Sequence, residues 1–360
     1  MSPSAESARP NRVTVVTVTY GDRWESGLAT TIDSVLSEGD TDLIIVSNGA
    51  SRRVQERLRG QAERMRGRIE IITFDQNRGS APAFGAALAC AYRRDTPILI
   101  LDDDNPLPPG ALPRLDAVAR GVRAASGRLS AVACFRAVNP VHAQLRAGVP
   151  IRTAFAELRP GAFLSTDVFR SRRGEIVSPI RRVETEGGAA AVAALPNAMW
   201  GGLYLPRETA ALRVLPPEEF VLYADDNAFS ARLRAHGVDI RLCLDVEISD
   251  TVDWRVTTEQ PRGRLRVPRV LRTPDSDLWR VRYQYRNAAY LSLEQARSSS
   301  AARVRLAVNV CVRLGLLFVA ALAARRLRVF HAVARASLDG LRGRLGAAYP
   351  LPGGGTPTAR

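Results

Sequence analysis

The sequence predicts an α/β protein: a mostly parallel sheet flanked by helices, followed by a C-terminal helical extension. Three observations predict it. Short β-branched and aliphatic runs alternate with helical patterns over the first hundred residues. The fourth of these runs ends in three consecutive aspartates, Asp102, Asp103 and Asp104. From about residue 299 the chain becomes apolar and arginine-rich with helical spacing. Alternating short strands and helices imply parallel strands joined by crossover helices on both faces.

The elements follow in order. Val13–Tyr20 is a β-branched run that stops at Gly21, and Leu28, Ile32, Val35 and Leu36 give residues 23–38 a helical face. Residues 42–46 form a second strand, 51–66 a polar helix, and 69–73 a third strand. An alanine-rich helix covers 80–93, a fourth strand covers 97–101, and a further helix starts near Gly110. Parallel sheets bind ligands beyond the carboxyl ends of their strands. Residues 19–23, 47–50, 75–85 and 102–105 therefore carry the information about function.

Composition narrows the function classes. The chain has 360 residues, 46% hydrophobic and 24% charged, which suits a large globular domain rather than a disordered one. Its four cysteines include no CxxC pair, and its three histidines lie far apart, so a disulfide scaffold, a zinc ribbon and an HExxH hydrolase are excluded. A reducing, cytoplasmic setting fits, with the cytoplasmic face of a membrane as the variant. Residues 1–12 read as a polar, flexible N-terminus without an apolar leader. The formal charge is +15 and every basic residue is arginine. Residues 301–360 hold ten arginines against one acid, Asp339, so the tail is the basic part. Such a tail suits an anionic membrane, and no aromatic-interleaved motif points to nucleic acid. Residues 304–324 are apolar but interrupted by Arg305, Asn309 and Arg313 at i, i+4, i+8, a narrow polar stripe on one helix face. This helix either packs on the protein's own core or lies in a membrane interface.

The fourth strand end is the most telling chemistry. Three adjacent carboxylates repel one another, and a hard divalent cation on a phosphate would resolve that repulsion. Asp102 and Asp104 point to one side if strand geometry persists. The plain alternative is an acidic turn or helix cap. In NRGSAPAFGAAL, Asn77 and Gly79 at a strand-to-helix turn offer backbone N–H groups to an anion, or simply allow close packing at a helix entry. Asp225 and Asp226 stand at the start of a helix with Leu222, Phe229 and Leu233 on its apolar face and Gly237 at its end. The helix dipole favours an ionised carboxylate there, as a general base requires. His236 complements the same helix's C-terminus, and the cysteines read as buried small hydrophobes.

Taken together, VTVTYGDR, VSNGAS, NRGSAPAFGAAL and LDDDNPLPPGAL resemble the nucleotide-binding half of family 2 glycosyltransferases, whose GT-A fold is Rossmann-like. The closest likeness is to their galactofuranosyl- and rhamnosyltransferase-like branch. NAMWGGLYLPRE and VLYADDNAFSARLRAHG resemble the acceptor-side segment and the base-bearing helix start, and WRVRYQYRNAAYL the late aromatic segment, so the likeness spans about residues 13–295. It implies a catalytic domain over 13–255, with nucleotide-sugar binding in 13–115 and the acceptor side in 116–255. A linker and aromatic segment follow over 256–298, then basic amphipathic helices over 299–345 and a disordered tail over 346–360.

The resemblance implies an inverting transfer of a sugar from a UDP- or TDP-sugar to an acceptor hydroxyl, in cell-envelope or other glycan synthesis. The acceptor would be a glycan, a lipid-linked molecule or a small molecule. Mg²⁺ or Mn²⁺ would be held by Asp102, Asp104 and Asp250. Thr19, Tyr20, Arg23, Asn48, Asn77, Gly79, Asp102 and Asp103 would bind the donor nucleotide. Asp226, or Asp225, would be the base, and Trp200, Gly201 and Gly202 would shape the acceptor site. Tyr283, Arg286 and Tyr290 would cover the donor diphosphate or acceptor, or pack as a helix. The chain departs from the family pattern at Ser47, where an aspartate is usual, and at Pro82–Ala83, where two glycines are usual. A metal-binding histidine is also missing, replaced by Asp250 with Asp253 behind it. A nucleotidyltransferase and a non-catalytic nucleotide-sugar-binding scaffold are the rival readings. A dinucleotide oxidoreductase is disfavoured because GDRWES is not GxGxxG.

Overall fold

The computed structural model describes residues 12–65, 67–155, 159–164, 166–169, 180–250, 267–297 and 299–351. Among these described residues nine strands form one sheet: β1 Val13–Gly21, β2 Thr41–Ala50, β3 Ile69–Phe74, β4 Ile98–Asp102, β5 Ser130–Phe135, β6 Ile180–Val183, β7 Ala190–Ala194, β8 Leu203–Leu205 and β9 Asp239–Glu247. The helices are α1 Ala29–Ser37, α2 Arg52–Arg64, α3 Ser80–Ala91, α4 Ala111–Ser126, α5 Pro140–Arg146, α6 Ile151–Ala154, α7 Arg207–Ala210, α8 Asp225–Ala235, α9 Leu278–Ala296, α10 Ser300–Ala323 and α11 Leu327–Leu341.

Strand order is β3-β2-β1-β4-β8-β5-β9-β7-β6. The α/β class with helices on both faces is as the sequence predicts. The N-terminal half is parallel, with β1 beside β2 and β4, and β2 beside β3. Beyond β4 the sheet is mixed. Three-residue β8 runs antiparallel to both β4 and β5, and β7 antiparallel to β6 and β9. Strand alternation divides the core. Val16, Ile44 and Val46 face α3, while Val15, Leu43 and Ile45 face α1, α2 and α4. Order reverses between β1 and β4, so the crevice beyond their carboxyl ends is the switch point at which ligands bind in such sheets. The aspartate run opens into that crevice.

The C-terminal helices form their own layer. Val281, Tyr285, Leu317, Val329 and Val333 of α9, α10 and α11 share a buried cluster. Residues 346–351 belong to it and are not a loose tail. Gly346 N donates to Glu219 O at 2.7 Å, and Tyr283 Oη donates to Tyr349 O at 2.7 Å. Two hydrogen-bonded links of this kind fix an end that composition alone marks as disordered. Residues 352–360 and Asp253 lie outside the described residues.

Candidate active site

The site is built on strand ends. β4 stops at Asp102, and Asp103 and Asp104 form a turn closed by Asn105 N donating to Asp102 O at 3.3 Å. Strand geometry does not persist, so Asp102 and Asp104 do not form the alternating pair that the sequence suggests. Asp103 and Asp104 instead share Arg23, whose Nε lies 3.0 Å from Asp103 Oδ2 and whose Nη2 lies 3.1 Å from Asp104 Oδ2. Asp102 turns the other way, toward Arg136 Nη1 at 3.3 Å. Arg136 also pairs with Asp250, which accepts from Asn105 Nδ2 at 2.9 Å. Asp250, expected as the substitute for the missing histidine, therefore lies beside the aspartates, paired with a buried arginine.

Arg136 went unnoticed in the sequence. Its one signal was a charge directly after the apolar strand that ends at Phe135. His142 fixes its backbone, with Arg136 N donating to His142 Nδ1 at 3.0 Å. Burial pushes that imidazole down to about 4, so it is neutral at physiological pH.

Four carboxylates, Asp102, Asp103, Asp104 and Asp250, face two guanidiniums, Arg23 and Arg136, in this cluster. Ionised, it carries a formal charge of two negative units among the described residues. Burial drives Asp103 up to about 7 against the pull of Arg23 and the hydroxyl of Thr19. Desolvation also raises Asp102 and Asp104. The donor set is all oxygen, and Asn105 Oδ1 is buried in it without a hydrogen-bond partner. A Cβ on Gly201 would stand 2.2 Å from that atom and 2.7 Å from Asp102 Oδ2, so only glycine lets them converge. These residues fit a hard divalent cation. Among the described residues no three acidic, histidine or cysteine side chains close a metal site alone. A cation here would need further ligands from water or a bound phosphate.

Several predicted ligand contacts are taken up internally. Thr19 Oγ1 donates to Asp103 Oδ2 at 2.7 Å, and both are buried. Asn48 is only 2% exposed and holds the next loop. Its Oδ1 accepts from Arg78 N at 2.8 Å, and its Nδ2 donates to Asn77 Oδ1 and Gly79 O at 3.1 Å each. Gly79 N donates to Asn77 Oδ1 at 2.9 Å, and Ala81 N donates to Val221 O at 3.1 Å, which removes donors from an anion cradle there. Tyr20 is 37% exposed, with the Arg23 guanidinium 5.3 Å from its ring centre, and it stands at the mouth of the crevice. Arg280 of α9, unsuspected in the sequence, donates to Tyr223 Oη at 3.0 Å and adds a cation near Tyr20.

Trp200 is not a stacking platform. It is buried, its ring is 4.6 Å from Phe84 and 5.0 Å from Phe229, and its Nε1 donates to Asp225 Oδ2 at 2.9 Å. Gly202, at φ 87°, backs onto Cys134 and Ile248, so its freedom serves internal packing. Asp225 also accepts from Ser80 Oγ at 2.6 Å and is 2% exposed. It is therefore committed to holding the helix start. Asp226 is the freer carboxylate, accepting from Asn227 N at 2.7 Å and feeling the charge of Asp102 across the crevice. The expectation that the dipole keeps this carboxylate ionised is overturned, because burial and the neighbouring Asp225 raise Asp226 to about 7.

The turn before α8 is strained, with positive φ at Val221, Tyr223 and Ala224. Leu222 lies in that turn and not on the helix. Asn287 Nδ2 is 2.8 Å from the carbonyl oxygens of Phe220, Leu222 and Tyr223. Arg286, fully buried, donates to Phe220 O at 3.1 Å. Tyr290 packs edge-on against Phe220. Arg286, Asn287 and Tyr290 thus pack as a helix that holds the turn before Asp226, and only Arg280 of this segment reaches the crevice mouth. Gly79, at φ 91°, lies under this turn, where a Cβ would meet Val221 O at 2.1 Å. Gly79→Ala is expected to lose about 2 kcal/mol or more of stability, seen as a lower melting temperature. An unchanged melting temperature would show that the turn yields freely.

With this geometry in place, the chain can be set beside known proteins. Residues 14–135 match the family model described as Glycosyl transferase family 2. No curated protein matches the chain. Among solved structures it is similar to the mannosyltransferase PcManGT from Pyrobaculum calidifontis, in complex with GDP-Man and Mn²⁺. The identity is 16% and the TM-score 0.46, over 92% of this chain and 88% of that one. It is also similar to S. aureus TarS 1-349, at 13% identity and a TM-score of 0.44, over 92% of each chain.

Proposed function

We propose that the chain is an inverting glycosyltransferase that moves a sugar from a nucleoside-diphosphate sugar to an acceptor hydroxyl. The observation that carries this reading is the pairing of two acidic groups across the switch-point crevice. On one side is the Asp102–Asp104 and Asp250 cluster with its formal charge of two negative units. On the other is Asp226, aimed by a strained turn. Tyr20 and Arg23 lie where the nucleoside and diphosphate would enter, and Arg280 adds positive charge at the mouth. Asp103 positions Arg23 rather than touching the donor. Asp102, Asp104 and Asp250 would hold the divalent cation, which when bound supplies positive charge to the departing diphosphate.

Asp226 accepts the proton of the acceptor hydroxyl. The acceptor oxygen forms a bond to the anomeric carbon as the bond from that carbon to the diphosphate oxygen breaks. That electron pair leaves with the nucleoside diphosphate, and one displacement inverts the centre. Asp225 holds the helix start through Ser80 and Trp200. The match over residues 14–135 covers the donor half of this arrangement, and the acceptor half rests on the geometry of Asp226.

A thermal-shift panel of UDP, TDP, GDP and CDP with and without Mn²⁺ tests the donor site. One diphosphate at 100 times its dissociation constant should stabilise the protein by ~2.7 kcal/mol in the presence of Mn²⁺, and Asp104→Ala should lose that shift. No shift with any of the four would overturn the reading.

A further inference from the structure

Helix α10 buries one apolar face on the protein and leaves a second one in water. Of its polar stripe, Asn309 faces inward and Arg313 meets α9, while Arg305 is exposed beside the Phe169 ring. Asn309 is fully buried, donates through Nδ2 to Gly161 O at 2.7 Å, and accepts at Oδ1 from Val168 N at 2.9 Å. Arg313 faces Tyr285 of α9. The opposite face is apolar and exposed: Val304 63%, Leu316 66%, Val319 64%, Leu322 48% and Phe318 42%. These positions fall within one broad face of a 3.6-residue period. Cys311 shares that face and is exposed, whereas Cys90, Cys134 and Cys243 are buried. The helix is long and apolar enough to cross a membrane by length and composition. Its ties to Gly161, Val168 and Tyr285, and the burial of Leu306, Leu317 and Ala321, hold it flat on the protein instead.

Charge says what covers this face. From Glu294 to Asp339 the chain has eight arginines and no acid between them. On α11, Arg328 (paired with Asp275 at 2.7 Å), His331 and Arg335 are exposed at i, i+3 and i+7 along one side, and exposed Arg342 follows the helix end on the same side. Two clefts of about 460 and 440 Å³ adjoin this side, and both include His331, Arg335 and Asp339. Phe318 joins the two surfaces, with its ring 5.2 Å from that of Phe330. A second copy of this chain would bring two such positive surfaces together. An anionic bilayer offers apolar depth to α10 and negative headgroups to α11 at once.

We propose that the outer face of α10, bordered by the arginines of α11, docks on an anionic lipid bilayer with the helix lying in the interface. The site would then deliver sugar to an acceptor at the membrane surface. Docking is independent of the transferase reading, and its test needs no activity. The full chain is sedimented with vesicles of phosphatidylcholine alone, and with vesicles containing one third phosphatidylglycerol. Pelleting is expected only with the mixed vesicles. Leu316→Gln with Val319→Gln should weaken it about tenfold or more. Arg335→Ala with Arg342→Ala should weaken it about tenfold. A polarity-sensitive dye on Cys311, with every other side chain native, should shift to the blue when mixed vesicles are added. Wild type that stays in the supernatant, variants that pellet as wild type does, or an unshifted dye would overturn the proposal. So would a wild-type dimer that Leu316→Gln with Val319→Gln converts to monomer, because a second copy would then cover the face.

Discussion

Asp226→Asn is expected to lower kcat/KM by about 10²- to 10⁴-fold and, at the same time, to stabilise the protein at alkaline pH. Both effects come from one environment. Burial and the charges of Asp225 and Asp102 raise Asp226 to about 7, whereas an unfolded aspartate titrates near about 3.9. Between these values the folded protein holds a proton that the unfolded chain has released. Stability from this group is therefore present below about pH 4 and lost as pH rises through about 7. Asparagine cannot ionise and can still accept from Asn227 N. The variant should melt higher than wild type at pH 8, by on the order of 1 kcal/mol or about 2 °C, and the gap should close toward pH 4. Wild-type kcat/KM should rise with pH up to about 7 and then level, because only the ionised carboxylate accepts a proton. Rates insensitive to the substitution would remove Asp226 from the mechanism. Equal melting temperatures at pH 8 would mean that the carboxylate is not strained by its burial.

The same residue shows what the sequence could and could not reveal. A helix start is legible from spacing, and dipole reasoning follows from it, but burial is a tertiary property and here outweighs the dipole. Strand ends were legible because short continuous apolar runs, buried on both faces, have definite limits. Hence Asp102–Asp104 and Arg23 are found together as their positions suggested, with Asp250, which only the family resemblance pointed to, beside them. Side-chain commitments were not legible. Asn48 and Trp200 are ligand contacts by the family resemblance, yet each completes a buried network within the protein. Arg136 had only its place after an apolar strand to mark it, and Arg280 had nothing, in a chain with 51 basic residues. For α10, spacing revealed a polar stripe at Arg305, Asn309 and Arg313 but not which side it faced. The structure divides it: Asn309 is fully buried on its partners, whereas Arg305 is exposed.

Arg286→Ala is expected to cost about 3–5 kcal/mol, the largest stability loss among the substitutions considered. The guanidinium is fully buried. It donates through Nη1 to Gly346 O at 2.5 Å, through Nη2 to Phe220 O at 3.1 Å and Glu219 O at 3.3 Å, and through Nε to Asn287 Oδ1 at 2.9 Å. Truncation leaves three carbonyls without this donor and opens a void between α9 and the turn at 219–223. The surroundings cannot collapse into it, because α11 already crosses α9 so closely that a Cβ on Gly340 would stand 2.0 Å from Arg286 O. Melting should fall by about 5–10 °C. Arg286→Lys should recover little, since an ammonium on a flexible stem cannot reproduce the planar fork that reaches Gly346, Phe220 and Asn287 together. The same network holds the positive-φ turn that aims Asp226, so kcat should fall further than donor affinity, which the β1 and β4 ends supply. An exposed arginine such as Arg303 should show neither effect on truncation. Full melting temperature and full kcat in Arg286→Ala would mean that Asn287 alone sets the turn.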